Sequence, residues 1–131
     1  MSGRTDRLRI EATPQAVPAA RQHIRRVLKE WLLGPVVDEA ALIVSELVTN
    51  GVRYSEAEFL TVALRRRGDV LVIEVSDPAG SLLPTMRDPG PEDCGGRGLH
   101  VVDALAERWG VRPHPGGKTV FAHLALGGRR R

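Results

Sequence analysis

Cysteine, aromatic residues and long apolar runs are all scarce in this chain, and each shortage excludes a class of protein. A single cysteine, Cys94, leaves no partner for an internal disulfide and fits a reducing compartment; it reads as an incidental thiol. His23, His100, His114 and His123 show no metal-ligand spacing with that cysteine or with each other, so zinc is not expected. Aromatic residues make up 4% of the sequence, too few for a series of base-stacking platforms. Charge of one sign is also missing: the net charge is +3, with acidic residues spread along the whole length, so neither nucleic acid nor a membrane surface is the expected partner. No apolar run approaches the roughly 20 residues of a membrane span, and the segment from Met1 to Arg7 lacks the apolar core of a signal peptide. The expectation is a soluble protein of the cytoplasm.

What is present is enough apolar sequence, 42% over 131 residues, for one domain with a core of its own, about residues 7–126 between frayed ends. Leu8 to Ala12 alternates as a short strand, and Thr13-Pro14 and Pro18 mark the entry to a helix. That helix, from about Pro18 to Leu33, carries Ala20, Ile24, Val27, Leu28, Trp31 and Leu32 at helical spacing and ends at Gly34-Pro35. A second helix spans about Val36 to Val52. Phe59 to Arg66 and Val70 to Ser76 form a hairpin about Arg67-Gly68-Asp69. The stretch from Pro78 to Gly96, rich in Pro, Gly and Asp, reads as a functional lid. A helix from about Leu99 to Ala106 and a second hairpin, Glu107 to Arg112 with Lys118 to Leu126, complete the chain. Hairpins with three helices between them predict a two-layer α/β sandwich, helices on one face of a mixed, mainly antiparallel sheet.

Within the second helix the run Ser45-Glu46-Leu47-Val48-Thr49-Asn50-Gly51-Val52-Arg53-Tyr54 sets a carboxylate and a carboxamide four residues apart. At about 100° per residue, Glu39, Glu46, Asn50 and Arg53 share one narrow stripe, and Val37, Ala40, Ala41, Ile43, Val44, Leu47 and Val48 spread over the opposite side. A carboxylate can take a proton from a hydroxyl, and an amide oxygen is a hard ligand suited to Mg²⁺. Two further clusters follow. Asp77-Pro78-Ala79-Gly80 places an acid where a strand ends, able to accept a hydrogen bond from an exocyclic amine. Gly95-Gly96-Arg97-Gly98-Leu99 is a glycine-rich loop entering an apolar-periodic segment, where backbone amides and a helix N-terminus can cradle phosphate.

In order and spacing the three clusters resemble the N box and the two glycine boxes of the GHKL ATPase and kinase superfamily, and most of all its small anti-sigma-factor serine/threonine kinases and the stand-alone ATP-binding regulators similar to them. The resemblance runs from about Arg7 to Leu126. It implies ATP and Mg²⁺ as cofactors, Glu46 as general base and Asn50 as Mg²⁺ ligand. It also implies that Asp77 reads the adenine amine, that Gly80 belongs to the first glycine box, and that Gly96, Arg97, Gly98 and Leu99 close over the phosphates. Thr119 matches a strand threonine near the adenine, and Arg53 follows the N box toward a phosphate. The partners implied are a sigma factor and an anti-anti-sigma protein of the STAS type, with a homodimer left open.

The chain departs from the family pattern at four positions. Ala79 and Ser81 stand at the glycines of D-x-G-x-G, Tyr54 where this branch often has histidine, and Gly51 where it often has alanine. Two other readings stay open beside the kinase: a non-catalytic ATP-binding regulator that sequesters a partner, and a small basic interaction or nucleic-acid-binding domain.

Overall fold

A computed structural model describes residues 3–78 and 96–127. The chain order is β1 (Arg4–Glu11), α1 (Ala16–Glu30), a 3-10 turn (Gly34–Val36), α2 (Val37–Tyr54), β2 (Phe59–Arg67), β3 (Val70–Asp77), α3 (Gly96–Leu105), β4 (Arg108–His114) and β5 (Gly117–Ala125). The five strands form one sheet in the order β1-β2-β3-β5-β4. All four pairings are antiparallel, so the expected mixed sheet has no parallel pair among the described residues. The reason lies in the connection: the chain leaves β3, passes through α3 and β4, and turns back in a hairpin, so β5 runs against β3.

Leu60, Val62 and Leu64 of β2, Leu71, Ile73 and Val75 of β3, and Ala122 and Leu124 of β5 point to one side of the sheet and are buried there. Against them lie Ile24, Val27 and Leu28 of α1 and Ile43, Val44, Leu47 and Val48 of α2, in one continuous core. Val102 of α3 is fully buried in the same cluster, with Leu99 and Leu105 beside it. The helices thus form one layer on one face, as expected. Two ties fix them sideways: His23 of α1 meets Asp6 of β1 at 2.6 Å, and Trp109 Nε1 of β4 donates to Asp103 of α3 at 2.9 Å.

The boundaries differ from the sequence expectation where partners outweigh local pattern. β1 begins at Arg4 because its whole length pairs with β2, from Arg4 opposite Arg66 to Glu11 opposite Phe59. Helix α1 begins two residues before Pro18, whose missing N–H costs nothing in a first turn. It ends at Glu30 with Trp31 as its cap, three residues before the expected Leu33, in a Schellman motif: Leu33 N–H donates to Leu28 O at 2.8 Å and Leu32 N–H to Lys29 O at 3.0 Å. Leu32 itself occupies the left-handed position at φ 62, where glycine is the usual residue.

Candidate functional site

Helix α2 is oriented by its ends and its apolar side. Asp38 and Glu39 lie in the first turn and Arg53 in the last, each complementing the helix dipole. The C-terminus is closed by Ser55 N–H donating to Gly51 O at 3.0 Å. Val37, Ala40, Ala41, Ile43, Val44, Leu47 and Val48 are all buried, as the stripe predicts. Glu46 and Asn50 are half-buried on the other side, Glu39 and Arg53 exposed. The carboxylate and the carboxamide therefore line one wall with both heads open to a ligand.

That wall stands over the end of β3. Built onto Gly51, a Cβ would lie 2.9 Å from Leu60 Cδ1, so the helix backbone beside Asn50 rests directly on the first core residue of β2. Leu60 precedes Thr61, which pairs with Ser76; the same register sets Leu60 beside Asp77. Asp77 is 8% exposed and alternates onto the helix side with Ile73 and Val75. The fold thus brings the Asn50 end of α2 and the acid that ends β3 to one place.

Helix α3 packs against α2 and supplies the third part. Gly96, Arg97 and Gly98 were expected as a loop before a helix starting near Leu99. They are instead the first turn of α3 itself, so the backbone N–H groups that a helix leaves without an intrahelical partner belong to these three residues. Leu99 packs on the core. Gly80, with Ala79 and Ser81, and the lid stretch containing Cys94 lie outside the described residues.

Two residues from the sequence reading are placed elsewhere. Thr119 pairs with Ser76, one residue off Asp77, and alternation sends its side chain to the opposite face of the sheet. There its hydroxyl meets Ser76 Oγ at 2.8 Å and His114 Nε2 at 3.0 Å. The residue directly across from Asp77, on its face, is Lys118. Sequence reasoning missed it because a family motif marks the threonine, whereas the face depends on strand register. Arg53 lies over the ring of Tyr54, 5.5 Å from its centroid. Ser45, beside Glu46 in the motif, is buried away from the stripe: it donates to Ala41 O at 2.8 Å and accepts from Arg21 Nη1 at 3.1 Å, tying α1 to α2.

An anion and an amine would find complementary groups here: N–H donors at the start of α3, a carboxylate at the end of β3, and a base with a hard oxygen ligand on α2. A model of the histidine kinase-like ATPase domain matches residues 10–123, from within β1 to within β5. The chain belongs to that family. No curated protein matches it. The histidine kinase-like ATPase fold accounts for the antiparallel sheet with three helices, and ATP is the ligand class of the domain. Among the described residues no group of three or more His, Cys, Asp or Glu could hold a metal. The amide oxygen of Asn50 suits a cation that takes most of its coordination from phosphate and water, as Mg²⁺ does. No described helix is long and apolar enough to cross a membrane.

Proposed function

We propose that this histidine kinase-like ATPase domain is an ATP-binding regulator, an anti-sigma factor that phosphorylates a serine or threonine of a STAS-type anti-anti-sigma partner. The observation behind the reading is the half-buried Glu46 and Asn50 pair on the open stripe of α2, above buried Asp77. Asp77 accepts the adenine amine and sets the register of the nucleotide. The first turn of α3 takes phosphate oxygens on its N–H groups. Glu46 accepts the proton of the substrate hydroxyl as that oxygen forms its bond to the γ-phosphorus and the bridging oxygen leaves with ADP. Asn50 would hold Mg²⁺ together with the phosphates, and the ion would supply charge neutralisation on the triphosphate. The sigma factor docks on the folded surface, alone or on a dimer, in the cytoplasm.

Labelled ATP with Mg²⁺ and candidate STAS partners tests the reading. Glu46→Gln keeps the size of the side chain but not the base, so transfer falls by about 10² to 10⁴ while ATP affinity changes little. Asn50→Ala weakens both, and ATP more than adenosine. ATP-dependent capture of a partner without any transfer, unchanged in Glu46→Gln, would replace the kinase with a sequestering regulator.

A further inference from the structure

The sheet has a second face, and among the described residues no element covers it. Strand registers place on it Arg7 and Arg9 of β1, Arg65 and Arg67 of β2, and Arg108 and Arg112 of β4. Against these six arginines the strands set only Glu11 and Glu74, with Glu107 at the β4 corner. The three helices, by contrast, carry Arg21, Arg25, Arg26, Lys29, Arg53 and Arg97 against Glu30, Asp38, Glu39, Glu46 and Asp103, a near balance. Among the described residues, the open side of the sheet therefore carries a clear excess of arginine over acid.

Three of these arginines, Arg9, Arg65 and Arg112, are held in place. Glu74, 8% exposed, accepts from Arg65 Nε at 3.3 Å through one carboxylate oxygen and from Arg112 Nη2 at 3.2 Å through the other. Arg9 stacks 4.0 Å from the centroid of Phe59, and Arg112 sits 5.4 Å from that of Phe121. Ala63 and Val72 are buried on this face although no layer lies over it, so the side chains around them roof them while most guanidinium donors remain free. Ordered guanidinium groups on a flat surface lose little freedom when a ligand arrives.

We propose that this open face is the docking surface for a protein partner with a carboxylate-rich face. Glu74 already provides the pattern of recognition: one carboxylate shared by arginines from two strands that are not neighbours, β2 and β4. Single-stranded nucleic acid fits less well, because both phenylalanine rings that could stack a base already carry a guanidinium. The surface lies across the sheet from Glu46, Asn50 and Asp77, so docking there leaves the nucleotide wall open and does not depend on how that wall is read.

Poly-L-glutamate is the probe, titrated by fluorescence anisotropy at low and high salt beside an oligothymidylate of equal charge. The triple change Arg7→Gln, Arg67→Gln, Arg108→Gln should weaken poly-L-glutamate binding by about tenfold, and the matched change Arg25→Gln, Arg26→Gln, Lys29→Gln on α1 by less than about twofold. The ring signals of His114 and His123, both on the open face, should shift on titration, and those of His23, on the helix side, should not. Equal losses in the two triple variants, or movement of His23 instead, would mean that only bulk charge is at work and would overturn the proposal. Tighter binding of oligothymidylate would overturn it in favour of a nucleic-acid surface.

Discussion

Replacing Gly51 by alanine tests how α2 is seated, and with it the placement of Asn50. In a helix interior the change is favourable by up to about 1 kcal/mol, since glycine has more backbone freedom to lose. At this position the new methyl would sit 2.9 Å from Leu60 Cδ1 and 3.4 Å from Cδ2. Leu60 is fully buried among core side chains, and overpacking at such a site costs about 1–3 kcal/mol. The expected net effect is a loss of about 1 kcal/mol. With an unfolding entropy of roughly 2.1 cal/mol/K per residue, that lowers Tm by about 3–4 °C. Leu60→Val removes the obstructing atoms at a cost of about 1 kcal/mol when made alone. Combined with Gly51→Ala it should leave the protein within about 0.5 kcal/mol of the parent, a coupling of roughly 1.5–2 kcal/mol in a double-mutant cycle. ATP affinity should follow the same order, falling in Gly51→Ala and recovering in the double variant. A rise in Tm for Gly51→Ala alone, or simple addition of the two single effects, would show that Leu60 yields freely and that the helix does not rest on it.

Leu32 is 87% exposed and sits at φ 62, so Leu32→Gly relieves a left-handed leucine and loses almost no burial. The variant should gain about 0.5–1 kcal/mol in urea unfolding; an equal gain from Leu32→Ala would assign the effect to the side chain rather than to φ. Burial first, and then the charge of Arg108, lower the pKa of His123 below its ordinary 6.5. The unfolded chain therefore takes up the proton first as pH falls below about 6.5, and the folded state loses stability through that window down to the pKa of the folded form; Arg108→Gln should raise the His123 midpoint in an NMR titration, and a lower midpoint would contradict the assignment. Asp77→Asn should weaken ATP and ADP binding by roughly tenfold to a hundredfold through loss of a charged acceptor, and unchanged calorimetry would remove Asp77 from the site.

Much of this fold is legible from periodicity alone. The apolar side of α2 and the alternation in β2 and β3 specify which residues are buried, because a helix or strand with one apolar side has only one way to hide it from water. The hairpin at Gly68 is equally local, since its φ of 59 suits glycine. The site is legible to the extent that its residues lie on one element: Glu46 and Asn50 are four residues apart, and four residues along a helix share a face in any tertiary context. Tertiary structure decided what depends on a partner. Register between β3 and β5 turned Thr119 away from Asp77 and put Lys118 opposite it, a difference of one residue that no pattern within β5 reveals. The seating of α2 on Leu60 gives a role to the glycine at position 51, and a Schellman motif rather than Gly34-Pro35 closes α1, with a leucine in the left-handed position after it. Arginines scattered over β1, β2 and β4 look like ordinary solvated charges along the chain. They become one basic face because a sheet places alternate residues of strands distant in sequence side by side.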